Sequence, residues 1–127
     1  MGDFRKLLAW QQGHELAREV HLVFSVRASR GYPGLRAQVL RAAAAIPATL
    51  SEGCAKRSRR ELARFAELAY ASAKEVENHL LLSRDVGLLT DATFSELAER
   101  TDQVARLCYG LTKTAPRAGQ SIPASSE

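Results

Sequence analysis

The sequence predicts an all-α protein, an antiparallel up-down-up-down bundle of four helices, and three observations lead there. Apolar residues recur at helical spacing in four stretches. Turn or capping residues separate those stretches. The composition is dominated by alanine and leucine, with 6% aromatic residues and few β-branched ones, which disfavours sheet. A chain of 127 residues reads as one domain, large enough to bury a core without disulfide or metal.

The first helix is expected over residues 4–28. Leu16, Val20, Val23 and Phe24 share its inner stripe, with Trp10 and Ala17 alongside. The turn-rich run Ser29-Arg30-Gly31-Tyr32-Pro33-Gly34 ends it. The second is expected over residues 35–55, with the stripe Leu35, Val39, Ala43, Ile46 and Leu50. Pro47 falls inside that pattern and predicts a kink, because proline lacks the amide donor and crowds the preceding turn. Ala42 to Ala45 leave room for a neighbouring helix to approach closely.

Ser58 followed by Glu61 is a capping box and predicts the start of the third helix. Its apolar seam runs Leu62, Phe65, Ala69, Ser72, Val76, His79, Ser83 and Val86, and Gly87 closes it. Thr90 or Asp91 caps the fourth helix, whose seam is Phe94, Leu97, Thr101, Val104, Cys108 and Leu111. This alternating three-and-four spacing suits helices crossing at a shallow angle. The bundle is therefore expected over residues 1–114, and residues 115–127, rich in Pro, Ser and Ala, as a disordered tail. Short loops make sequential helices antiparallel neighbours. Leu7, Leu8, Leu22, Val26, Leu68, Leu81 and Leu82 fall outside the inner stripes, a surplus that predicts burial against further copies of the chain.

The net charge of +4 has a single location. Of 18 basic and 14 acidic residues, five basic and one acidic lie between Lys56 and Arg64, leaving thirteen of each sign elsewhere. Lys56 and Arg57 suit the C-terminal end of the second helix, where the helix dipole favours cations. Arg59 and Arg60 occupy the first positions of the third, where the dipole disfavours them. Local stability does not select that placement. Lys56, Arg57, Arg59, Arg60 and Arg64 are thus the candidate surface for a polyanion, RNA or DNA, with an acidic protein or a neighbouring subunit as the alternative partner. Few aromatic residues accompany the cluster in sequence, so base stacking is not expected of it.

Catalytic signatures are missing from the pattern, and no cofactor is expected. A di-iron bundle needs Glu-x-x-His pairs, whereas Glu75 and His79 are spaced i, i+4, and His14 and His21 lie seven residues apart. Cys54 and Cys108 are distant from one another and in no metal or redox spacing. They read as buried free thiols of a reducing, cytoplasmic setting. No apolar run is long enough for a membrane span, and no export signal is expected from the polar first residues.

Two segments carry a family resemblance. One is the run from Arg41 through Ala42-Ala43-Ala44-Ala45-Ile46-Pro47 to Glu52-Gly53, followed by Arg57-Ser58-Arg59-Arg60-Glu61. The other is Phe4-Arg5-Lys6-Leu7-Leu8-Ala9-Trp10. Together they resemble the four-helix bundle proteins of the 23S ribosomal RNA intervening-sequence family. The chain departs from that pattern at Leu40, Ala45 and Thr49, where arginine, serine and asparagine are usual. The resemblance implies a bacterial, cytoplasmic, ring-like homo-oligomer, a pentamer, of no established activity.

Overall fold

A computed structural model describes residues 2–26 and 31–113. Val26 is placed as helix, but its side chain lies outside the described residues, as do residues 27–30 and the expected tail. The described residues form a short 3₁₀ turn, η1 (Phe4–Lys6), and four α-helices: α1 (Leu8–Val26), α2 (Pro33–Cys54), α3 (Arg59–Asp85) and α4 (Asp91–Thr112). No strand occurs among them.

The N-terminal helix differs from the expected continuous one. Asp3 Oδ1 accepts the Arg5 amide at 3.0 Å and so caps η1. Leu7 is then extended (φ −80°, ψ 121°), and α1 begins only at Leu8. A side-chain cap at Asp3 competes with helix continuation, and it cannot be told from an ordinary helix start by apolar spacing alone. The Gln11 side-chain amide donates to the Arg5 carbonyl at 2.8 Å and ties the turn to α1.

The second helix starts two residues before its expected position. Pro33 occupies its first position, where the ring's fixed φ suits a helix and the missing amide has no partner to lose. Gly31 (φ 93°) and Tyr32 (φ 54°) make the left-handed turn that precedes it. Pro47 lies within the uninterrupted α2 and is itself buried. The third and fourth helices begin as the local signals indicate. Ser58 Oγ accepts the Glu61 amide at 3.1 Å, and Thr90 Oγ1 accepts the Thr93 amide at 3.1 Å. At the end of α3, Gly87 adopts φ 80°. Its amide bonds Arg84 O and the Leu88 amide bonds Ser83 O at 2.8 Å, a Schellman closure that delivers Leu88 and Leu89 into the core.

The helices pack as a cycle: α1 on α2, α2 on α3, α3 on α4, and α4 back on α1. Leu16, Val20, Phe24, Val39, Ile46, Leu50, Val76, Leu80, Leu97, Val104 and Cys108 fill the centre. On α3 the buried face is wider than the predicted seam. Ala63, Ala66, Ala73 and Leu80 join it, while Ser72 and His79 sit at its edge. The three alanines set that width, because they let neighbouring helices close over a second row of the surface. Ser83 and Thr101 are buried but satisfied, donating to the carbonyls of His79 (2.7 Å) and Leu97 (2.6 Å) one turn back.

Two glycines fix how closely α2 approaches its neighbours. A Cβ on Gly13 would stand 2.9 Å from Ile46 Cγ2, and one on Gly53 would stand 2.8 Å from Phe65 Cβ. Among the leucines outside the stripes, Leu8, Leu22, Leu68, Leu81 and Leu82 are exposed, whereas Leu7 packs partly against the core. No helix among the described residues is long and apolar enough to cross a membrane.

The glycine contacts make a paired prediction. Gly53→Ala gains helix propensity but drives a methyl into the rigid start of the Phe65 side chain, so it should destabilise by about 1–3 kcal/mol. Gly110→Ala, in α4 with nothing within 4 Å of the added methyl, should stabilise by about 0.5–1 kcal/mol. Chemical denaturation of the two variants beside the parent checks both signs.

Candidate nucleic-acid interface

The corner between α2 and α3 is built by three local devices. Gly53 lets the last turn of α2 lie against Phe65 and Leu62 of α3. The Ala55 and Lys56 amides close the end of α2 on the carbonyls of Ser51, Glu52 and Gly53. Ser58 then starts α3 three residues after the C-cap, Ala55. The chain therefore turns within a few residues, and Lys56, Arg57, Arg59, Arg60 and Arg64 gather around one end of the α2–α3 pair.

Their surroundings differ. Lys56 Nζ and Arg64 Cζ lie over the buried Phe65 ring, 5.5 and 5.4 Å from its centroid. Both are within cation–π range. Arg64 Nε also approaches Glu61 Oε1 at 3.6 Å, an exposed ion pair of small energetic weight. Arg57 and Arg60 are exposed, and Arg59 is half-exposed. Arg59 and Arg60 fill the first two positions of α3, with Glu61 the acid of that turn.

Sequence reasoning missed a neighbour of this corner. Phe4, more than fifty residues away along the chain, shares a surface cleft with Ser51, Glu52, Cys54 and Arg57. Its ring forms a T-shaped pair with Trp10 at 5.0 Å, and Trp10 stacks on His14 at 4.7 Å. An aromatic ladder thus stands beside the basic corner, although no aromatic residue lies within the cationic run itself. The packing of η1 on α2 brings it there, and hydropathy spacing carries no signal for that contact.

The three histidines differ in how far their ring nitrogens are satisfied. His14 is in the aromatic stack, and His21 Nδ1 lies 2.7 Å from the Ala17 carbonyl. His79 lines a second cleft with Gln38, Arg41, Ala42, Ala45 and Glu75. Its Nε2 stands 3.9 Å from Glu75 Oε2, beyond a hydrogen bond, and its Nδ1 is buried without a partner. No group of three His, Cys, Asp or Glu residues that could hold a metal occurs among the described residues. Asp3 is held below its ordinary pKa by the hydrogen bonds from Arg5.

Cys54 and Cys108 are both buried and free. Burial raises both thiol pKa values, that of Cys108 to about 11. A thiol so placed stays protonated and makes a poor nucleophile.

Comparisons with known proteins bear on this arrangement. The family described as 23S rRNA-intervening sequence protein matches residues 5–110. No curated protein matches the chain. A crystal structure of a protein with unknown function, from the S23 ribosomal protein family of Bacteroides thetaiotaomicron VPI-5482, has the same fold. It matches with a TM-score of 0.76 at 20% identity, over 84% of this chain and 99% of that one.

The thiol environment makes a pH prediction. The unfolded thiol ionises near 9.0 and folded Cys108 near 11, so its contribution is complete below pH 9.0 and is lost as pH rises towards 11. Thermal unfolding followed across that window should show falling stability, with a shallower fall in Cys108→Ala. Near neutral pH neither thiol should react with an aromatic disulfide reagent until the chain unfolds.

Proposed function

The chain belongs to the 23S rRNA-intervening sequence protein family, and we propose that it is a non-enzymatic, homo-oligomeric bundle that binds nucleic acid through the basic corner between α2 and α3. The observation that carries this reading is the position of Arg59 and Arg60 in the first turn of α3. Each stands against the helix dipole at a cost of a few tenths of a kcal/mol, roughly. Arg60, exposed at that position, is placed to meet an external anion.

Assembly is the second part of the proposal. Leu68, Leu81 and Leu82 on α3 and Leu8 and Leu22 on α1 are about half exposed. A cytoplasmic ring of copies, five as the family resemblance implies, covers such side chains and repeats the basic corner around one axis. Repetition converts weak phosphate contacts into avidity. A second reading takes the corner as a contact between copies. It is favoured by Glu96 and Glu99, exposed beside Arg100 on α4, which offer carboxylates of the required sign.

Polarisation titrations with labelled RNA and DNA test the first part. Binding should appear at about 50 mM salt and fall steeply by about 200 mM. Arg57→Glu combined with Arg60→Glu should weaken it and make the log–log salt slope shallower by about 2. Unchanged affinity in that double variant would remove the nucleic-acid reading and favour the contact between copies.

Light scattering tests the second part. The mass should be a multiple of 13.9 kDa, five-fold for the ring. A mass of one chain rules assembly out.

A further inference from the structure

The cleft beside Arg57 has the makings of a base-binding slot. It is an open cleft of about 480 Å³ between η1 and the last turn of α2, a size within the roughly 300–1,000 Å³ usual for ligand sites. Its lining is chemically divided. Phe4 supplies an aromatic wall, Arg57 a cation, and Ser51 and Glu52 polar groups. The Glu52 carboxylate and the Arg57 guanidinium on one lining suit an uncharged base, whose amino edge donates a hydrogen bond to a carboxylate, with its phosphate at the cation.

The aromatic wall is braced from several sides. Trp10 and Phe4 form a T-shaped pair, with an interplanar angle of 63°. The Arg5 guanidinium lies 5.5 Å from the Phe4 centroid, fixed by Asp3 Oδ1 at 2.9 Å from its Nε. Gln11 fastens the Arg5 carbonyl from α1. A ring held in place loses little freedom when a base stacks on it.

We propose that this cleft takes one unpaired nucleobase, stacked on Phe4 with its phosphate on Arg57, so that the corner prefers single-stranded to double-stranded nucleic acid. The inference rests on the reading of the corner as a nucleic-acid surface and adds the strandedness that phosphate contacts alone do not confer. In a duplex each base is stacked and paired, and extracting one carries an energetic penalty. A single strand presents its bases freely, and one base–aromatic stack strengthens binding in a manner tolerant of sequence.

The experiment compares a short single-stranded DNA with its duplex at low salt, using the full chain, Phe4→Leu, Phe4→Tyr and the Arg57→Glu, Arg60→Glu double variant. The single strand should bind the parent more tightly than the duplex. Phe4→Leu should weaken single-strand binding about five-fold or more, the effect of losing one stack, and leave duplex binding unchanged. Phe4→Tyr, which keeps the ring, should retain the preference. Trp10 is the only tryptophan, so its fluorescence in the parent should be quenched by the single strand and not by the duplex. That readout requires no variant to fold. Equal affinity for both forms, equal weakening of both by Phe4→Leu, or no difference in Trp10 quenching overturns the slot. In those cases binding that still depends on Arg57 and Arg60 leaves the corner's electrostatic role standing. If neither form binds at low salt, the slot and the nucleic-acid reading fall together.

Discussion

The bundle is organised by how closely α2 sits against α1 and α3. Helix surfaces ordinarily keep backbones apart by the thickness of their side chains. At Gly53 there is none, and Phe65 Cβ lies only 2.8 Å from where a Cβ would stand. At Gly13 the same absence admits Ile46. These two contacts seat α2 against α1 and α3, allow the small buried residues Ala42, Ala43, Ala66 and Ala69 to close the packing, and define where the α2–α3 turn emerges. Interiors packed to native density transmit such spacings rather than absorbing them.

That view gives a physical meaning to the residues that carry the family resemblance. Ile46 and Pro47 are wholly or nearly buried and face Gly13; Gly53 faces Phe65. The motif is thus a packing device. Its polar member, Glu52, is exposed and borders the cleft near Arg57. The Ile46-Pro47 to Gly53 part of the signature therefore accounts for packing, while Arg57, Arg59 and Arg60, in the same resembling segment, supply the chemistry of the corner.

The corner itself balances two opposing tendencies. Phe65 gathers Lys56 and Arg64 over its ring, a favourable use of cationic stems and heads against an aromatic surface. Arg59 and Arg60 gain nothing from the dipole at the start of α3. The Ser58 cap and Glu61 stabilise that turn and so tolerate the arginines beside them. Such a surface is capped in backbone and cationic in display.

Features that depend on near neighbours were legible in the amino-acid order alone. The four helices, the Ser58 and Thr90 caps, the close at Gly87 and the single basic segment all arise from residues within a turn or two of each other, so their signals are written contiguously. The inner stripes of α2 and α4 were legible for the same reason, because each needs only one apolar face. Tertiary structure decided what distant residues settle jointly. It widened the buried face of α3 to Ala66, Ala73 and Leu80 and left His79 at its edge. It broke the N-terminal helix at Leu7 and carried Phe4 to the cleft of Arg57. Periodicity along one helix describes which residues share a face, but only the neighbouring helices determine how much of that face is covered and which side chains meet across it.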